Sequence, residues 1–153
     1  MTAAPATPAC AALDLDCAAL GTILFTVTAH DLPGALFLRI YTNNAEEYPL
    51  DGTKPMERDA WFDLVIRDRQ PFVANTPEGF RALFFDHAQI EGLGLGSAAN
   101  LPVIDAAGDV IGTVNLLAGP GHFTPERLAQ YDALIATHHA GLVAELAAAL
   151  TVV

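Results

Sequence analysis

In the stretch from Ser97 to Ala118, Asn100-Leu101-Pro102-Val103-Ile104 and Val110-Ile111-Gly112-Thr113-Val114-Asn115-Leu116-Leu117 flank the loop Asp105-Ala106-Ala107-Gly108-Asp109. Two apolar runs around an Asp/Gly loop predict a β-hairpin. Successive strand side chains point to opposite faces. The second run therefore places Val110, Gly112, Val114 and Leu116 on one side and Thr113 and Asn115 on the other. In the first run Asn100 opposes Leu101 and Val103. A sheet with one apolar face and one face carrying amides predicts a recessed binding site.

The same alternation occurs upstream. Thr22 to Ala29 and Ala35 to Thr42, joined by the turn His30-Asp31-Leu32-Pro33-Gly34, read as a second hairpin. Ile23, Phe25 and Val27 with Leu36, Leu38 and Ile40 form its apolar sides, and Thr26, Thr28, Arg39 and Tyr41 lie opposite. A short strand over Pro71 to Ala74 is expected at an edge. Helix starts are written as Thr7-Pro8, Thr76-Pro77-Glu78 and Thr124-Pro125-Glu126, each a hydroxyl N-cap followed by proline at the first helical position. The last helix is expected from about Pro125 to Ala149, because Leu128, Tyr131, Ile135, His138, Leu142 and Leu146 recur at three- and four-residue spacing. The first ends near Gly21. A further helix is read between Glu57 and Arg69, and another around Phe80, Leu83, Phe84, Phe85 and His87. The terminal helices should cover the apolar face, leaving roughly Asn43 to Leu95 to fold over the mixed face. The expected class is α+β with a central antiparallel sheet.

A chain of 153 residues, 52% hydrophobic, can bury the core of one domain. Residues 1–8 read as a disordered tail and 9–150 as the single domain. Cytoplasmic localisation is the default expectation, because the N-terminus lacks a signal-like pattern and no unbroken apolar run reaches membrane-span length. A formal charge of −11, without a basic stripe, argues against nucleic acid and anionic membranes as partners. Cys10 and Cys17 are seven residues apart in the first helix, about two turns or roughly 10 Å, too far for a disulfide within one helix. They are expected to be reduced and to pack with Leu13 and Leu20, the alternatives being a bridge to a second subunit or a redox-sensing role.

The order of elements, with Glu47-Tyr48-Pro49 before Asp51-Gly52-Thr53-Lys54-Pro55, Gln70-Pro71-Phe72-Val73-Ala74-Asn75, Leu101-Pro102-Val103 and Val110-Ile111-Gly112-Thr113-Val114-Asn115, resembles the GAF domain superfamily over about Cys10 to Leu146. The resemblance implies a five- or six-stranded antiparallel sheet with terminal helices on one face. It also implies a small-molecule pocket between the other face and the middle helices. It further implies a sensory or regulatory role, here as a stand-alone domain whose output passes through the ligand or an unidentified protein partner. Branches that use a pocket thiol, the bilin-binding sensors and free methionine sulfoxide reductases, fit poorly because both cysteines lie in the first helix. The Asn-Lys-Phe-Asp-Glu-type signature of cyclic-nucleotide binders is missing.

Asn100 and Asn115 are the leading ligand-binding candidates, because a primary amide offers donors and acceptors together. The alternative is that they satisfy buried backbone groups. Tyr41, Thr113 and Trp61 are secondary candidates, with Trp61 also readable as a lid residue buried for its area. Six cations, Arg39, Lys54, Arg58, Arg67, Arg69 and Arg81, precede the second hairpin among acidic residues that can pair with them on the surface. Of these Arg39 alone is placed to point inward. Asp86-His87 and His138-His139 are adjacent on helices and point about 100° apart, which suits neither a relay nor a metal pair. Nothing nominates an enzyme, and no cofactor is identified. A redox or hydrolytic enzyme on the same scaffold and a ligand-free dimerisation module are the alternatives. The alanine-rich faces of the first and last helices predict a homodimer through these helices, the alternative being that one packs on the other within the subunit.

Overall fold

The computed structural model describes residues 6–50 and 52–151, so most of the expected tail over residues 1–8 lies outside the described residues. Helix α1 (Pro8–Ala19) leads into β1 (Leu24–Asp31), β2 (Leu36–Thr42) and β3 (Thr53–Pro55). A single turn, α2 (Ala60–Phe62), widens into a π-helical turn over Asp63–Arg67, and β4 (Phe72–Ala74), α3 (Pro77–Arg81) and α4 (His87–Gly92) follow. The chain closes with β5 (Ser97–Ile104), β6 (Val110–Ala118) and α5 (Pro125–Leu150). The strands form one antiparallel six-stranded sheet in the order β3-β2-β1-β6-β5-β4.

The deciding hairpin forms as its sequence predicts. Asp105 Oδ1 accepts from the amides of Ala107 and Asp109, both at 3.0 Å, and Gly108 takes φ +88°, a conformation that costs glycine little. Of the three expected hydroxyl caps, only Thr124 forms one, its hydroxyl oxygen accepting from the Arg127 amide at 3.2 Å. Thr7 and Thr76 make no side-chain cap.

Helices α1 and α5 pack on one face of the sheet. Cys10, Leu13 and Cys17 of α1 and Tyr131, Leu142 and Leu146 of α5 close over Phe25, Val27, Val114 and Leu116, all fully buried. Each leucine-sized side chain removed from water contributes about 1.5–3 kcal/mol. The approach is close at Gly112, where an added Cβ would meet the Thr28 carbonyl oxygen and Leu146 at 2.7 Å each. Both cysteines are free, as expected, and burial pushes the Cys17 thiol up to about 12 and the Cys10 thiol well above its ordinary value. Helix α5 is long and apolar enough to meet the length and composition of a membrane span, although polar residues interrupt its apolar ones. A one-sided core helix meets the same measure, and α5 lays Tyr131, Ile135, Leu142 and Leu146 against the sheet.

The other face carries a second core, in which Leu24, Leu117 and Phe72 of the sheet meet Tyr48, Val65, Phe80 and Ile90 of the middle segment. Here the structure departs from the sequence reading in three places. The helix read over Glu57 to Arg69 is one turn plus the π-helical turn, started by Asp59, whose Oδ1 accepts from the Phe62 amide at 2.9 Å. The helix read around Phe80 to His87 is divided into α3 and α4, with 82–86 between them. Strand β3, unread from residues alone because it is short and contains proline, pairs with the edge of β2.

Candidate functional site

Between the polar sheet face and the middle segment lies a partly open cleft of about 660 Å³. Its floor follows from strand register. Thr26 of β1 pairs with Asn115 of β6, which pairs with Asn100 of β5, and these three lie in one cross-strand row. The next row holds Arg39, Thr28 and Thr113. Residues directly opposite on one face have Cβ atoms about 4.5–5.5 Å apart, so each row is continuous.

The first row is joined by a directed set of hydrogen bonds. Trp61 Nε1 donates to Asn100 Oδ1 at 2.8 Å, and Asn100 Nδ2 donates to Asn115 Oδ1 at 2.9 Å. Asn115 Nδ2 then donates to Thr26 Oγ1 at 3.1 Å and Thr28 Oγ1 at 3.0 Å. An indole N–H can only donate, so the Asn100 atom facing it must be the oxygen, and the orientation of both amides follows. Trp61 therefore sets the direction of the whole ladder.

Walls and mouth come from the middle segment. Tyr48 donates its phenol proton to Asp86 at 2.9 Å, and burial, then Asp86, raises its pKa. The Arg39 guanidinium lies 5.1 Å from the Tyr48 ring centroid and donates to the Pro49 carbonyl at 2.8 Å. Partial burial lowers its pKa. Lys54 Nζ stands 4.8 Å from the Phe85 ring. These two cations are held over aromatic faces, whereas Arg67 and Arg81 make the expected surface ion pairs with Asp63, Asp68, Glu78 and Glu91. His87 pairs with Glu91, and His138 and His139 bind Asp16 and the Ile104 carbonyl separately.

Five of the six sequence candidates, Asn100, Asn115, Thr113, Arg39 and Trp61, line this cleft. Tyr41 does not. Val27 pairs with Tyr41 while Thr28 pairs with Arg39, so Ile40 is an extra residue in β2. This bulge breaks the alternation and turns Tyr41 to the helix side. There its hydroxyl donates to Asp14 of α1 at 2.7 Å, and its ring packs edge-on against Phe25. A bulge leaves no mark in the sequence, and simple parity placed Tyr41 on the wrong face.

One buried residue behind the cleft lining was hidden in the expected turn. His30 belongs to β1, continues the alternation Leu24, Thr26, Thr28, and is 2% exposed. Its Nε2 lies 3.2 Å from Thr113 Oγ1, and its ring meets Phe37 and Trp61 edge-on at 5.1 and 6.2 Å. Burial lowers its pKa to about 4, opposed by the nearby Val110 backbone, so the imidazole is neutral. Nδ1 has no partner of hydrogen-bonding geometry among the described residues. Also among the described residues, no cluster of three or more His, Cys, Asp or Glu side chains is placed to hold a metal.

A polarised antiparallel sheet, helices on one face and a roofed cleft on the other define an α+β domain. The family model for the GAF domain matches residues 6–138, and the chain belongs to the GAF family. Its architecture is similar to the GAF domain of a two-component sensor histidine kinase from Bacillus halodurans, with TM-score 0.72, 11% identity, and 91% of this chain and 94% of that one covered. It is also similar to a GAF domain/HD domain protein from Geobacter sulfurreducens, with TM-score 0.68, 13% identity and coverage of 91% and 94%. At such identities the likeness is one of fold. The comparison with curated proteins finds no match. GAF domains are in general sensory or regulatory modules that bind small molecules, and typically they are not catalytic.

Proposed function

We propose that this chain is a regulatory GAF module that reversibly binds a small organic metabolite in the cleft and leaves it chemically unchanged. The observation that carries this reading is the ladder Trp61-Asn100-Asn115-Thr26/Thr28 on the floor of a cleft of about 660 Å³. That size falls within the roughly 300–1,000 Å³ of small-molecule sites, and a few convergent polar groups among apolar walls are what such sites present. Similar folds occur in a sensor histidine kinase and in a methyl-accepting chemotaxis protein, both signalling proteins by name. A cytoplasmic location and an output through a protein partner belong to the same reading. So does a homodimer through α1 and α5, supported by exposed Leu15 on α1 and exposed Ala133, Ala136, Ala140, Ala144 and Ala147 on α5.

The test is thermal denaturation of the wild type and of Asn115→Leu against fractions of a protein-free cell extract. Binding predicts that at least one fraction raises the wild-type Tm in a saturable way and leaves the variant unmoved. A ligand-free dimerisation module is favoured by one observation, that Trp61 already satisfies Asn100 from within the chain. Absence of any responsive fraction, with a dimer in light scattering, would support that second reading.

A further inference from the structure

The ladder is directional, and its direction selects a ligand. Trp61 spends its N–H on Asn100, Asn100 spends one amide proton on Asn115, and Asn115 spends both of its own on Thr26 and Thr28. The hydroxyls of Thr26 and Thr28 are thus acceptors within the ladder, and each retains its own proton. Neither proton has an acceptor among the described residues, and the second amide proton of Asn100 is likewise unspent. Thr26 is only 6% exposed, and Thr26, Thr28 and Asn100 all line the cleft. A buried unspent donor is costlier than a spare lone pair on an oxygen that already accepts. The floor therefore calls for acceptor atoms.

Two cations stand at the mouth. Arg39 is the cross-strand neighbour of Thr28 and lines the cleft, with Lys54 nearby over Phe85. Neither cation is ion-paired among the described residues, although Glu47, Glu57, Asp59 and Asp86 share the lining. Three of these acids are engaged: Asp59 caps α2, Asp86 accepts from Tyr48, and Glu47 accepts from Gln89. Two cations against four acids leave the lining net negative, which disfavours a polyanion, so a monoanion has to be held by direct contact with Arg39 and the floor donors. Leu24, Leu117, Phe37, Leu83, Phe84 and Ile90 supply apolar walls.

Resting on the reading of the cleft as a ligand site, we propose that it receives an apolar or aromatic monocarboxylic acid. Its carboxylate accepts from the Thr26 and Thr28 hydroxyls and Arg39, and its body lies against the apolar walls. A carboxylate is acceptor-only when ionised, which matches the unspent donors, whereas an ammonium group would leave the Thr26, Thr28 and Asn100 protons unspent.

The experiment titrates phenylacetate, 2-phenylethanol and 2-phenylethylamine, which share one carbon skeleton, into the intact chain. Emission of the single tryptophan, Trp61, reports on the cleft. The expected order is acid over alcohol over amine, with the acid at least about tenfold tighter than the amine. Thr26→Val/Thr28→Val, checked for folding by circular dichroism, should abolish the preference for the acid over the alcohol, and Thr28→Ser should keep it. An amine or alcohol that binds as tightly as the acid overturns the acceptor assignment and leaves the ligand-site reading standing. So does a preference that survives the double valine variant. No saturable response to any of the three at millimolar concentration overturns this proposal, while a responsive extract fraction in the thermal test would still preserve the broader reading.

Discussion

Trp61 Nε1 donates to Asn100 Oδ1 across 2.8 Å, joining the irregular middle segment to the centre of the sheet. The contact holds the roof to the floor and also orients two amides. Replacing Trp61 by Phe keeps a ring against Phe37 and His30 but leaves Asn100 Oδ1 without its donor. The expected cost is about 1–3 kcal/mol, the range for a hydrogen bond to a buried polar group plus lost ring area, read by urea denaturation. Freed of its anchor, the ladder can reverse, so Trp61→Phe should also lose discrimination between the phenyl acid and amine. A variant as stable and as selective as the wild type would show that the indole N–H sets nothing.

His30 makes stability depend on pH in a stated window. Its pKa in the folded protein is about 4, below the ~6.5 of an exposed imidazole, so the unfolded chain binds the proton first as pH falls. Its contribution is complete above pH ~6.5 and is lost progressively down to about pH 4. Between pH 8 and pH 5 the wild type should lose about 2 kcal/mol more than His30→Asn, as measured by chemical denaturation at both pH values. Equal slopes for the two proteins would mean that His30 takes up a proton without opening the Phe37 and Trp61 packing.

Glu145 substitutes for the missing cap of α1. The carboxylate, 8% exposed, accepts from the amides of Ala9 at 2.8 Å and Cys10 at 3.1 Å, while Thr7 contributes no side-chain cap. A negative charge over the first turn also suits the helix dipole. Glu145→Ala should cost about 1–3 kcal/mol, and Glu145→Gln less, because one acceptor oxygen remains. Hydrogen exchange at the Ala9 and Cys10 amides locates the effect: faster exchange there is expected, and protection unchanged from the wild type would show that the amides do not depend on this carboxylate.

Both thiols should be inert in the native state. Burial raises the pKa of each, with Glu145 adding to the effect at Cys10 and Asp14 and Asp16 at Cys17, so the reactive thiolate is scarce at neutral pH. Labelling by a thiol-specific disulfide reagent should be about a hundredfold slower than in denaturant. Rapid native labelling of either cysteine would reopen a redox role.

The hairpin of β5 and β6 was legible because alternation and loop chemistry agreed there, and it placed Asn100, Thr113 and Asn115 on the cleft side correctly. Parity failed at Tyr41 because a bulge at Ile40 depends on how β2 fits its neighbour, not on the residues of β2 themselves. His30 escaped notice since Asp31-Leu32-Pro33-Gly34 marks a turn strongly, and the strand runs further than that signal suggests. The middle segment was the least legible. Its short helices and β3 are held by contacts such as Tyr48 with Asp86 and Trp61 with Asn100, which join residues 38 and 39 positions apart. Local periodicity carries no record of such pairs.

Native mass spectrometry of the gently purified protein, with its mass compared before and after denaturation, tests the central claim most directly. The account predicts a non-covalent small molecule on the wild type, released on denaturation, and none on Asn115→Leu. A wild-type mass equal to that of the bare chain, together with no extract fraction that raises its Tm, would contradict it.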